Sequence, residues 1–127
     1  MKASIYIFTI FLLISCVPEK STCSDFHVGK FAYADPDYAH IEIIRTEKTQ
    51  IEVNSKSKVE AHTSIEWKSD CKYVLTYEKF KNAPEEFQSM IGQKIHAEII
   101  EIGKDKFTCQ VKSKNSNEVM DFKVIKD

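Results

Sequence analysis

Polar and apolar residues alternate along most of this chain with a period of two, the pattern of strands with one buried and one wet face. The longest run covers residues 59–67, with Val59, Ala61, Thr63, Ile65 and Trp67 on one side and Glu60, His62, Ser64 and Glu66 on the other. Lys68-Ser69-Asp70 breaks it, and Cys71, Tyr73, Leu75 and Tyr77 share a face over residues 71–80, so the two segments read as an antiparallel hairpin. Upstream, an aromatic-rich strand over 26–33 ends at the turn Asp35-Pro36-Asp37. Residues 39–45 follow, with Ala39, Ile41 and Ile43 in phase, then 49–53, with Ile51 and Val53 in phase. Downstream lie 93–102, then 106–113 with Phe107, Cys109 and Val111 inward, and 119–126 with Met120, Phe122 and Val124 inward. The phase slips between Ile99 and Ile100, which predicts a bulge.

One stretch breaks the period of two. Asn82 offers a cap, Pro84 and Glu85 suit a first turn, and Phe87, Met90 and Ile91 recur at helical spacing before Gly92. A helix of about two turns is expected there. About eight short strands joined by short turns predict an all-β protein, and closing them up and down removes the exposed edges. The expectation is a small antiparallel meander barrel of lipocalin-like type with one short helix.

The amino-terminal segment has a different character. Lys2 and the chain terminus give a positive start, and residues 5–14 are apolar apart from Thr9, the pattern of a secretory signal. A spanning helix needs about 20 apolar residues; Pro18-Glu19-Lys20 ends this run well before that. A buried core segment is the weaker reading, since nothing else in the chain is so apolar. Leu13-Ile14-Ser15-Cys16 resembles the lipobox of bacterial lipoproteins. That resemblance implies cleavage after residue 15, a lipidated, palmitate-bearing Cys16, a tether over 16–22 and a single β domain over 23–127. Residues 17–22 reach about 20 Å when extended, which holds the domain close to the bilayer. Several acyl chains, at about 0.8 kcal/mol per buried CH₂, make such anchoring lasting. Val17 stands where an Asp would suggest retention at the inner membrane, so the outer membrane is expected, with the domain periplasmic or surface-exposed.

Charge narrows the function classes. The chain carries 18 basic and 19 acidic side chains, interspersed, for a net charge of −1. Without a basic stripe it offers no phosphate-tracking surface, and no nucleic-acid partner is expected. Only three glycines occur, and no Gly-rich phosphate loop is formed.

Cys23-Ser-Asp-Phe26-His-Val-Gly29-Lys-Phe31 and Ser64-Ile-Glu-Trp67-Lys-Ser-Asp70-Cys71-Lys-Tyr73 resemble segments of small lipoproteins of the Bacteroidetes, especially flavobacterial ones, whose domain is thought to be lipocalin-like. Relatives of that type are often labelled DNA topoisomerase IV. ATPase and DNA-cleavage modules do not fit in a chain of this length, and a secretion signal leads away from DNA.

With Cys16 lipidated, Cys23, Cys71 and Cys109 remain, and three pairings are open in an oxidising compartment. Cys23 and Cys71 lie at strand ends and are the expected disulfide. Cys109 lies mid-strand and inward, where a free thiol behaves as a small apolar group. His27, His40, His62 and His96 are scattered without metal-ligand spacing, so neither metal nor cofactor is expected. Asp35 and Asp37 read as turn formers rather than calcium ligands. No serine or cysteine is placed beside a histidine and a carboxylate, so no enzyme is expected.

An eight-stranded barrel is just wide enough to be filled by its own side chains or to hold one small ligand. Short strands and large inward aromatics favour a filled barrel. Were it hollow, Trp67 and Tyr73, with Tyr77 and Phe31, would be the ligand contacts, the first two near a barrel mouth. The functional expectation is a membrane-anchored envelope lipoprotein with a non-catalytic binding or structural β domain. The alternative is a carrier of a small hydrophobic molecule; an envelope protein is the other partner class.

Overall fold

A computed structural model describes residues 22–126. The segment expected to act as a secretory signal, and Cys16, lie outside the described residues. Eight strands, β1 (Gly29–Tyr33), β2 (Ile41–Arg45), β3 (Thr49–Asn54), β4 (Glu60–Trp67), β5 (Lys72–Lys81), β6 (Lys94–Gly103), β7 (Lys106–Lys112) and β8 (Asn117–Val124), follow one another around a closed barrel. Every neighbouring pair is antiparallel, and β1 closes on β8 through Phe31↔Val124 and Tyr33↔Phe122. The all-β meander expected from the alternation is therefore present, and the sheet closes on itself. The whole barrel forms within residues 29–124.

The β4–β5 hairpin has the expected partners, with Ile65 opposite Leu75 and Trp67 opposite Tyr73. The bulge falls where the apolar phase slips: Ile99 pairs with Cys109 and Glu101 with Thr108, leaving Ile100 unpaired and exposed. A second irregularity, between His62 and Thr63, leaves Glu78 of β5 without a partner in the register.

Three expectations need correction. The helix between β5 and β6 is a single 3₁₀ segment, Glu85–Met90, flanked by Pro84 rather than capped by Asn82. Asn82 instead adopts φ +55° and donates its amide to the Lys58 carbonyl, tying two loops together. The first strand does not start at Phe26. Cys23–Phe26 is a 3₁₀ turn, in which Asp25 accepts from the Thr22 backbone at 2.8 Å, and β1 starts at Gly29. Gly29 has φ +142°, a conformation open to glycine and strained for other residues, and it swings the chain from that turn into the sheet. Finally, the apolar pair of β3 does not face the interior. Register with β2 sets Ile43 opposite Glu52 and Arg45 opposite Gln50, so Gln50 and Glu52 point inward and Ile51 and Val53 outward. A period of two shows that one face differs from the other but not which is inside.

In a meander, alternate connections gather at opposite ends of the barrel. One end carries the β2–β3, β4–β5 and β6–β7 turns, and there the Cys23–Phe26 turn forms a plug. Cys23 is bonded to Cys71 beside the β4–β5 turn, and the His27 ring bonds the Asp70 carbonyl oxygen at 2.7 Å. Phe26 packs on Phe107 with ring centroids 4.8 Å apart, and Phe107 contacts Phe31 and Phe122. Phe31 and Phe107 are only 1% and 2% exposed, so this half of the barrel is a packed aromatic core.

Replacing Cys71 with Ser tests the plug. The disulfide spans 48 residues; a chain-entropy account gives a loss of about 4 kcal/mol for such a loop, within the usual range for removal of a native bridge. A denaturant midpoint that moves by less than about 1 kcal/mol equivalent would show that the plug holds without its bond.

Candidate functional site: a half-hollow barrel with a buried arginine

Above the aromatic core the barrel is hollow. A cavity of about 240 Å³ lies between the strands, walled on one side by Leu75, Ile95, Ala97, Val111, Met120 and Phe122. The polar lining is Arg45, Gln50 and Glu52 on β2 and β3, with Tyr33 beside Phe122 and with Tyr73 and Tyr77 flanking Leu75 on β5. The end away from the plug forms its mouth, with Met90, Gln93, Ser113 and Ser116 at the rim. A groove of about 520 Å³, lined by Ile41, Val59, Ala61, Pro84 and Phe87, adjoins it, and Glu52 lines both spaces.

Arg45 forms the floor. It ends β2 in the same phase as Ile43, so its side chain enters the barrel, and the residue is 2% exposed. Its Nε donates to Gln50 Oε1 at 2.9 Å, Nη1 to the Phe26 carbonyl at 2.8 Å and Nη2 to the Tyr73 hydroxyl at 3.1 Å. The guanidinium also lies 4.7 Å from the Tyr73 ring centroid and 5.1 Å from that of Phe31. Aromatic faces attract a cation at such distances by about 0.5–2 kcal/mol, more as water is excluded. Tyr73, its hydroxyl hydrogen free, reaches Cys109 Sγ at 3.7 Å. Burial pushes the Cys109 thiol up to about 11, so it is neutral, and inert as a nucleophile, near pH 7.

Glu52 is the acid of the cavity. Tyr33 donates to its Oε1 at 2.8 Å. Burial pushes the carboxyl above its ordinary range, against the lowering effects of the Tyr33 hydrogen bond and the Arg45 charge. Burial and the neighbouring Glu52 likewise keep the Tyr33 hydroxyl protonated. Folding with a raised carboxyl value costs stability once the medium would otherwise ionise it.

Of the ligand contacts anticipated from sequence, Tyr73 and Tyr77 line the cavity. Phe31 and Trp67 do not. Phe31 belongs to the packed half, and Trp67 lies at the plugged end, its indole stacked on His27 with centroids 3.5 Å apart. The β4–β5 turn that carries Trp67 and Tyr73 is at the sealed end rather than at the mouth. Cys23 and Cys71 form the expected disulfide, and Cys109 is free and buried. The filled barrel favoured from sequence gives way to one that is half filled, because polar side chains stand inward on β3. Arg45, Gln50 and Glu52 were missed. Continuing the phase of Ile41 and Ile43 by one step to Arg45 was the available signal.

The histidines do not converge: His27 sits on Trp67, and His62 pairs with Glu60 at 2.9 Å. Among the described residues no helix is long and apolar enough to cross a membrane. The chain matches no protein-family model, no curated protein and no solved structure.

Exchanging Glu52 for Gln keeps an acceptor for Tyr33 and removes the ionisable group. Below the ordinary carboxylate value of 4.5, Glu52 is protonated in both the folded and unfolded chain, and its ionisation does not separate the two proteins. As pH rises above 4.5, the unfolded chain releases the proton before the folded one, and the wild type loses stability. Thermal melts should therefore show a stability difference that moves in favour of Glu52→Gln between pH 3.5 and pH 8. A difference constant with pH would mean that Glu52 ionises in the fold as it does in water.

Proposed function

We propose that this chain is a lipid-anchored protein of the bacterial envelope whose barrel binds, without chemistry, a small molecule that is apolar along one side and polar at one end. The observation that carries the binding half is the cavity. Its volume of about 240 Å³ is just below the range of about 300–1,000 Å³ usual for small-molecule sites. It has room for about eight groups the size of a water, at roughly 30 Å³ each. Apolar residues on one wall and hydrogen-bonding residues on the floor suit an amphipathic occupant better than a pure hydrocarbon, which would leave Arg45 and Gln50 facing an apolar surface.

The anchoring half rests on Leu13-Ile14-Ser15-Cys16 and the apolar run before it. The plug joins the two halves. The tether meets the barrel at Thr22, beside the sealed end, so an anchored domain turns its mouth away from the bilayer. On this reading the ligand enters from the aqueous side or from a partner protein, not directly from the membrane that holds the anchor.

Two measurements test these halves separately. Native mass spectrometry of residues 17–127 after incubation with an envelope lipid extract should give a discrete adduct; a bare mass would overturn the carrier reading. Metabolic labelling with radioactive palmitate should be lost in Cys16→Ala, and label that persists in the variant would remove the anchor.

A further inference from the structure

Among the spaces and clusters of this molecule, the cavity floor is the one whose hydrogen-bonding capacity is conspicuously one-sided. Arg45 carries five N–H donors, and three are used, on Gln50, Phe26 and Tyr73. No carboxylate among the described residues lies in ion-pair contact with it. The side chain is nevertheless almost wholly removed from solvent. A buried cation without a paired anion is expensive, by several kcal/mol even after relaxation.

Gln50 extends the same surface. Arginine is only a donor, so the oxygen of the Gln50 amide must be the atom that faces Arg45 Nε. That fixes the amide plane and leaves Nε2 turned elsewhere. Nε2 has no protein partner among the described residues, yet Gln50 is only 3% exposed and lines the cavity. Tyr77 also lines the cavity, and its hydroxyl makes no hydrogen bond to protein among the described residues. Arg45, Gln50 and Tyr77, each with an unused donor, thus line the same cavity. The acid that borders it, Glu52, is engaged by Tyr33 and driven toward its neutral form by burial.

We propose that the ligand is a short-chain monocarboxylate, its carboxylate seated on Arg45 and Gln50 and its hydrocarbon chain against Leu75, Ile95, Val111 and Met120. This rests on the carrier reading and names the ligand class. A carboxylate supplies one negative charge and several acceptor sites in a planar group, matching the surplus on the floor. The cavity volume limits the chain to about eight water-sized groups, with the groove beside Glu52 available to a longer tail.

The test compares octanoate, 1-octanol and octylamine by isothermal titration against residues 17–127 at pH 7.5. Octanoate should bind at least tenfold tighter than 1-octanol, with octylamine weakest. Arg45 also holds the plug, so the informative variant is Gln50→Glu. It keeps the shape of the side chain, offers Arg45 an internal carboxylate and removes the free amide donors. It should lose at least tenfold in octanoate affinity, with a clearly smaller change for 1-octanol, and retain the wild-type circular dichroism spectrum. Equal affinity for octanoate and 1-octanol, or a Gln50→Glu protein that binds octanoate as the wild type does, would overturn the carboxylate assignment while leaving a carrier in place. No binding of any of the three overturns the assignment; together with a bare mass from the lipid extract, it removes the carrier reading too.

Discussion

Burying the Arg45 guanidinium is the constraint around which this barrel is arranged. Its three hydrogen bonds reach the plug through Phe26, β3 through Gln50 and β5 through Tyr73. Segments far apart in sequence are thereby tied to one side chain at the centre of the barrel. Desolvating such a cation costs several kcal/mol, which the hydrogen bonds and the rings of Tyr73 and Phe31 offset in part. The result divides the interior. Below the guanidinium, Phe26, Phe31, Phe107 and Phe122 fill the space; above it, polar side chains meet small and aliphatic ones across a void.

That division follows from side-chain size as well as charge. A barrel of eight strands has little spare room, and large aromatics close it completely. Around the cavity the inward positions include Ala97 and Val111 on one wall and Gln50 and Glu52 on the other. Two facing residues of modest volume leave a gap, and polar atoms on β3 can keep water or a ligand there. The disulfide reinforces the sealed end by joining Cys23 to the β4–β5 turn, so stiffness and openness lie at opposite ends.

The sequence made the strands legible because their alternation is strict, as in β4, and because Lys68-Ser69-Asp70 and Gly103-Lys104-Asp105 mark the turns. The bulge at Ile100 was legible as a slip of one residue in that alternation, and the disulfide as two cysteines at strand ends. What stayed hidden depends on contacts between strands. Ile51 and Val53 alternate with Gln50 and Glu52 as a core face would, and only pairing with β2 turns the polar set inward. Trp67 could not be assigned to the sealed end without knowing that residues 23–26 fold under the barrel instead of extending β1. The hollow itself was invisible, because it results from several inward residues being polar or small at the same height.

The position of the plug constrains what the proposed carrier can carry. If Cys16 holds the chain to a bilayer, the short tether draws down the sealed end and points the mouth into the aqueous space. A long acyl chain arriving by that route would cross water with its whole length exposed, at about 0.8 kcal/mol for each CH₂. A short monocarboxylate is soluble enough to make the crossing unaided, and its smaller apolar area needs only a small cavity. Cavity volume, the surplus of donors around Arg45 and the direction of the mouth therefore favour the same class of ligand. A lipid of full length would require either a partner docked over the groove by Phe87 or a much larger hollow than the Phe31–Phe107 core leaves.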